Sequence, residues 1–195
     1  MTNDSPGTPA VLAVVNFAQT TSELYSSHMC DFRVATEAVY RQAESIDGHI
    51  ASARPQDNCE HLSFFEREWG RWGPFRVPSY YQGGTKLGDI YEASALSVWR
   101  NLPALYRFVY HGAHLMGIKS RHRWFKPMKE ANYAMWWTRE WPTWEEGARR
   151  LEMQQEHGLS KETFTFKLLY DSDGNSLALR DIVDRASSTA GADQC

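Results

Sequence analysis

One stretch of the chain constrains its fold more than any other, because a strand runs there into a long helix and then into a second strand. The alternation of residues over 89–99 predicts a strand with two buried faces. Apolar residues then recur at three and four positions over 101–124, which is the helical spacing. The short aromatic and apolar run over 133–138 predicts the second strand.

The N-terminal part of the chain has the same pattern. A nearly continuous apolar run predicts a strand over 11–19, helical spacing predicts a helix over 23–46, and a weaker strand follows over 49–53. A helix over 142–158 and a strand over 164–169 complete the chain's regular elements. This order predicts an α+β fold, a ferredoxin-like antiparallel sheet with helices on one face.

The chain of 195 residues suits one domain with short appendages. We predict a flexible lead over 1–9, the folded domain over 10–170 and a C-terminal extension over 171–195. The domain contains an aromatic insertion over 54–86. Long segments inside compact domains are typically functional or disordered, and the many rings argue against disorder. We therefore predict a lid, with protection of a sheet edge as the alternative.

Composition limits the kinds of binding partner and the cellular location that we expect. The net charge of -3 does not provide the overall positive potential expected of a nucleic-acid-binding protein. Three cysteines without a CxxC pair favour a reducing compartment. The chain shows neither a signal peptide pattern nor an apolar run long enough to span a membrane, so we expect a soluble cytoplasmic protein. Eight tryptophans indicate a pocket or an oligomer interface lined with rings.

Several motifs occur in an order that resembles a known family. They are LSVWRNLPALYRFVYHGAH at 96–114, RHRWF at 121–125, MWW at 135–137, PTWEEGARRLEMQQEHG at 142–158 and TFTF at 163–166. The chain resembles the domain-of-unknown-function 3291 family, placed among the dimeric α/β barrels related to antibiotic biosynthesis monooxygenases. The resemblance implies a homodimer, in which two sheets with outer helices close into a barrel that holds one ligand cavity per subunit.

The resemblance also implies a class of function. We expect an enzyme of secondary metabolism that acts on an apolar aromatic or polyketide-like substrate without a cofactor. Its reaction would be oxygenation or acid/base chemistry such as cyclisation, isomerisation or dehydration. A haem-dependent enzyme with His114 as iron ligand is one alternative, and a non-catalytic small-molecule binding protein is another. Fold alone does not choose among them.

Asn16 and His114 are the first catalytic candidates. Asn16 is the one strongly polar residue in its strand and resembles a first-strand asparagine that holds substrate in related monooxygenases; the alternative is a bond to the backbone at the strand end. His114 matches the family's helical histidine and suits general acid or base chemistry near neutral pH. On a helical wheel, however, it lies away from the apolar stripe, which favours an interface or a backbone bond.

Arg121 is the third catalytic candidate, as a clamp for a carboxylate, with a helix C-terminal cation as the alternative. His111 and His114 share a helical edge, but a third ligand at metal spacing is missing, so we predict no metal site. We predict that six aromatic residues contact the ligand, with the core as the alternative for each. They are Phe17, Trp72, Tyr91, Trp99, Trp136 and Trp137.

Overall fold

The computed structural model describes residues 8–57, 62–81 and 92–190, apart from the last two side chains. A four-stranded antiparallel sheet forms its centre, in the order β2-β3-β1-β4. The strands are β1 (Val11–Gln19), β2 (His49–Ser52), β3 (Glu92–Trp99) and β4 (Tyr133–Thr138). This sheet confirms the predicted α+β class and is compatible with the ferredoxin-like pattern.

The described part of the chain forms five α-helices beside the sheet. They are α1 (Cys30–Ser45), α2 (Leu102–Tyr110), α3 (Gly112–Ser120), α4 (Trp144–His157) and α5 (Leu179–Ala190). Short 3-10 turns occupy Ser27–Met29, Phe64–Glu66, Gly70–Trp72 and Arg121–Arg123. None of the helices in the described ranges is long and apolar enough to cross a membrane.

Local sequence explains where two of these helices begin. The Asn101 side chain accepts a hydrogen bond from the Ala104 N–H at 2.9 Å, at the start of α2. Thr143 accepts one from the Glu146 N–H at 3.2 Å, at the start of α4. Each cap satisfies a backbone donor that the first helical turn leaves without an intrahelical acceptor.

The single helix predicted over 101–124 is wrong, because the chain breaks between α2 and α3. His111 has extended backbone angles, and Gly112 adopts a φ of +56°, in the left-handed region. Glycine reaches that region at little cost, so the chain can change direction here. The apolar spacing of α2 resumes after the break in the same helical register, at Leu115 and Met116, which is why periodicity does not reveal the break.

The helices cover both faces of the sheet, so the prediction that they lie on one face is also wrong. One face carries Ala13, Val15 and Phe17 of β1, and it packs against Trp144 and Leu151 of α4. Gly147 allows this close approach, since an added Cβ would lie 3.0 Å from a Val15 methyl. The same core contains four buried rings from the described part of the insertion, Trp69, Trp72, Phe75 and Tyr81. We call this side of the sheet the aromatic face.

The other side of the sheet, which we call the helix face, packs against α1, α2 and α5. Leu12 and Trp99 lie in its core together with Leu105 of α2. Ile182 of α5 is buried in the same core, so the segment after residue 170 contributes to the packing of the domain.

The strand predicted over 164–169 is wrong. Phe164 exchanges two backbone hydrogen bonds with Met135 of β4, at 2.8 and 2.9 Å, and the chain then turns away. Farther along the chain, β5 (Leu169–Tyr170) pairs with β6 (Ser176–Leu177) around a tight turn. The Asp171 carboxylate accepts the Asp173 N–H at 3.0 Å, as expected for an Asx-type turn, and also the Asn175 N–H at 2.8 Å.

Candidate functional site

One end of the helix face is only partly covered. Leu12, Trp99 and Met135 are fully buried at the other end. Six residues at this end are partly exposed or exposed, although β1 and β3 are the central strands of the sheet. We call this set the trough: Asn16, Ala18, Ala93, Ala95, Ser97 and Tyr133. Apart from Asn16 and Tyr133, the side chains of the trough are small.

Asn16 is the polar group on the floor of the trough. Its side-chain oxygen accepts a hydrogen bond from the Ala95 N–H at 2.8 Å, so the expected bond to the backbone is present. The amide group is exposed and directly opposite Tyr133 in the register of β1 and β4. Since the oxygen is already bonded to β3, the amide N–H groups remain to donate to a ligand.

Aromatic rings form a wall beside the trough. Tyr110, the last residue of α2, is 37% exposed, and its ring centroid lies 4.7 Å from Tyr106 and 5.4 Å from Phe166. Burial, and then the nearby phenols of Tyr133 and Tyr106, raise the pKa of Tyr110 above its usual value. Tyr110 therefore keeps its proton at neutral pH and can donate a hydrogen bond.

His114 lies in the first turn of α3. Its Nδ1 is 3.1 Å from the carbonyl oxygen of Val109, so Nδ1 carries the proton and Nε2 has the free lone pair. Burial lowers the pKa of His114, while the Val109 hydrogen bond acts in the opposite direction. The imidazole is thus neutral at pH 7, which is the form that acts as a base.

His114 and Asn16 are not brought into contact. The His114 ring packs on Phe108 with centroids 4.4 Å apart, and Phe108 in turn packs on Trp99. Within the described ranges, no hydrogen bond or ring contact joins His114 to the trough residues. His114 therefore packs beside Phe108, towards the buried Trp99, and a ligand in the trough would have to extend towards it.

Gln42 holds the helix junction that carries His114. Its amide N–H groups donate to the carbonyls of Phe108 at 3.2 Å and His111 at 3.0 Å. Its oxygen accepts the backbone N–H of His114 at 3.0 Å. The residue is missed by sequence reasoning, and its signal is a polar residue between Val39 and Ala43 on the apolar stripe of α1.

Other predicted site residues lie elsewhere. Arg121 is exposed in the turn that follows α3, and the structure does not place it beside Asn16 or His114. No three His, Cys, Asp or Glu side chains in the described ranges form a group that could hold a metal ion.

Most of the predicted ligand-contacting rings are core residues. Phe17, Trp72 and Trp136 are buried on the aromatic face, and Trp99 is fully buried on the helix face. Trp137 is half-buried and donates its indole N–H to the Tyr170 carbonyl at 2.8 Å. Tyr91 lies outside the described residues. The trough is therefore lined by tyrosines and alanines that sequence reasoning does not select, together with the predicted Asn16.

A cavity of about 310 Å³ adjoins the trough at Tyr133. It lies between the start of β4, the end of α4 and the segment that includes Thr165 and Lys167. A second cavity, of about 390 Å³, is lined by His28, Arg123 and Trp124 and by none of the trough residues. His114 lines neither of these two cavities.

Comparison with known proteins identifies one family. The family described as Domain of unknown function (DUF3291) matches residues 11–180, which is most of the chain. No curated protein and no solved structure matches the chain. The comparison supports the predicted family resemblance and names no activity.

Proposed function

This chain belongs to the DUF3291 family, a domain of unknown function, and from the geometry of the trough we propose that it binds a small, flat, largely apolar metabolite on the helix face of its sheet. The observation that carries the proposal is the exposed Asn16 amide among small side chains on central strands. Ligand sites of this kind combine apolar surface with a few well-placed polar groups.

Each part of the trough has a role in this proposal. The methyl groups of Ala18 and Ala95 offer a flat apolar floor, and the Tyr110 ring offers a wall for stacking. The Asn16 amide and the Tyr110 hydroxyl both donate hydrogen bonds. The ligand should therefore carry a carbonyl or hydroxyl oxygen near one edge of its ring system.

The proposed site is complete within one chain. A barrel shared between two copies, as the family resemblance implies, would enclose the aromatic face, which Trp69 and Trp144 already cover here. We therefore place the ligand on the helix face, and binding at this site does not require a homodimer. Equal stoichiometry of ligand and chain is expected whatever the oligomeric state.

Filling the trough tests the proposal. Ala95→Trp places a large ring on the floor at a partly exposed position, so the fold should persist while the site is blocked. Val34→Trp is the matched control, since Val34 is 68% exposed on α1. We expect 2-naphthol, measured by calorimetry, to bind the natural chain and the control with a Kd of about 1 mM or tighter.

The blocked variant should bind at least about tenfold more weakly, which corresponds to about 1.4 kcal/mol. Native mass spectra of the freshly purified chain complement the titration by detecting a retained small molecule. Equal affinity in the blocked variant would overturn the proposed location. Absence of both a retained molecule and probe binding would overturn the proposed function.

A second candidate function, proton transfer to or from the bound ligand, is favoured by the state of His114. Its Nδ1–H is held by the Val109 carbonyl and its Nε2 is unprotonated at neutral pH. In this candidate, Nε2 removes a proton from carbon next to a ligand carbonyl and returns it, while Asn16 donates to the enolate oxygen.

Deuterium exchange into 2-tetralone, an enolisable aromatic ketone, tests this candidate. The natural chain should accelerate exchange at C1 in D2O, as followed by NMR. His114→Gln should reduce the rate to that of buffer while 2-tetralone still binds, whereas Asn16→Ala should weaken both. An unchanged rate in His114→Gln would contradict proton transfer and leave ligand binding as the function.

A further inference from the structure

The cavity beside the trough has a lining that differs from the trough itself. Its volume of about 310 Å³ is bounded largely by polar and charged residues. These include Lys129, Glu130, Gln154, Gln155 and Lys167, with Tyr133 at the side of the trough. We propose that this cavity binds an anionic group, a carboxylate or a phosphate, on the ligand that occupies the trough. The inference rests on the proposed function.

The charges in the lining favour an anion. Among the described residues of the lining, Lys129 and Lys167 supply two ammonium groups and Glu130 supplies one carboxylate, for a net charge of +1. A Glu130 oxygen accepts the backbone N–H of Lys129 at 3.1 Å. Neither lysine forms an ion pair with any residue in the described ranges. Both ammonium groups are thus available to a ligand.

The amide groups in the lining also favour an acceptor. The Gln155 oxygen accepts the backbone N–H of Ala131 at 2.8 Å, and the Gln154 oxygen lies 3.5 Å from the Thr163 hydroxyl. Both oxygens therefore face protein donors, which leaves the two amide N–H groups to donate elsewhere. Two amides and two ammonium groups form a donor-rich lining, and carboxylates and phosphates are acceptors.

The cavity and the trough share one residue and have a second link through neighbours in the chain. Tyr133 lines the cavity, and it lies opposite Asn16 on the helix face. Thr165 and Lys167 also line the cavity, and Phe166 between them packs against Tyr110. In this proposal, one ligand lies past Tyr133, with its ring system in the trough and its anionic group in the cavity.

The test compares probes that share a ring system but differ in charge. Calorimetry on the full chain would use 2-naphthoate and 2-naphthyl phosphate against the neutral 2-naphthamide. We expect at least one anion to bind about tenfold more tightly than the amide. Its affinity should also fall between about 0.05 and 0.3 M salt, because salt screens exposed charges. The tighter anion identifies the group that the cavity accepts.

Matched variants test whether the tighter binding of the anion depends on the cavity lysines. The double variant Lys129→Gln with Lys167→Gln should lose the preference for the anion and retain amide binding. Lys119→Gln, an exposed lysine on α3, is the control and should change neither affinity.

Two outcomes would overturn the inference, and they are distinguishable. Equal binding of anions and amide, with no effect of the double variant, would refute the anion site and leave the proposed function intact. Absence of binding by all three probes would refute both. A folded double variant, checked by circular dichroism, excludes loss of structure as the cause of a lost preference.

Discussion

Replacing Gln42 with alanine should loosen the junction between α2 and α3. The Gln42 amide donates to the carbonyls of Phe108 and His111 and accepts the backbone N–H of His114. The Gln42 side chain is thus the hydrogen-bond partner of three backbone groups at the break between α2 and α3. Gly112, at the centre of the break, lies so close that an added Cβ would be 2.9 Å from the Gln42 amide.

The expected magnitude follows from the three hydrogen bonds. Each is worth about 0.5 to 1.5 kcal/mol net, and the lower part of that range applies because water reaches the exposed His111 carbonyl. We expect Gln42→Ala to lower the free energy of unfolding by about 2 kcal/mol. For a domain of this size the melting temperature should fall by about 4 to 8 °C.

Urea unfolding followed by tryptophan fluorescence measures this loss. Arg41→Ala, one residue earlier on the exposed side of α1, is the control and should stay within about 0.5 kcal/mol of the natural chain. A loss of less than about 0.5 kcal/mol in Gln42→Ala would refute the assigned role of the amide.

Three further predictions concern stability. The pKa of His114 is lowered in the folded chain, so the unfolded chain binds the His114 proton more readily. The neutral imidazole therefore contributes fully to the free energy of unfolding above about pH 6.5. This contribution is lost as the pH falls through the folded-state pKa. Urea midpoints at two pH values should therefore show the natural chain losing more stability on acidification than His114→Gln, and a parallel loss would contradict this reasoning. Trp144→Ala should cost about 3 to 5 kcal/mol because the ring is 1% exposed, and a cost under about 1 kcal/mol by urea unfolding would show that the aromatic face is loosely packed. Gly48→Ala should destabilise by more than about 1 kcal/mol, since Gly48 has a φ of +100° and its Cβ would lie 2.6 Å from the Ala104 side chain. Gly117 lies in α3, and a Cβ added there would have no atom within 4 Å, so Gly117→Ala should instead stabilise the chain by about 0.5 to 1 kcal/mol. Thermal melts in which both variants melt above the natural chain, or both below it, would refute the contrast.

The two strands with the clearest apolar runs are predictable from the sequence. The bounds of β1 and β4 agree with the predicted 11–19 and 133–138, because a short apolar run between polar segments has few other interpretations. The α2–α3 break is not predictable from periodicity, since the apolar spacing before Gly112 resumes after it in the same helical register, at Leu115 and Met116. The placement of α4 on the aromatic face depends on tertiary contacts that no local pattern encodes.

The candidate site is predictable in part. Asn16 stands out because a polar residue interrupts an apolar strand, and the structure places it in the trough. The prediction of two buried faces for the strand over 89–99 is wrong on one face, because Ala93 and Ala95 are partly exposed there. Tyr110 is not identifiable in this way, because its position depends on where the helix breaks. The same limit applies to Gln42, whose role exists only at that break.

The most direct test of the account is an NMR measurement of where a bound aromatic probe lies. Intermolecular nuclear Overhauser effects from the naphthyl protons of 2-naphthoate should reach the Ala95 methyl group and the Tyr110 ring. Such contacts would place the ligand on the helix face, between the central strands and α2. Contacts to Trp72 and Trp144 instead, with none to Ala95, would place the ligand in the aromatic face and contradict the account.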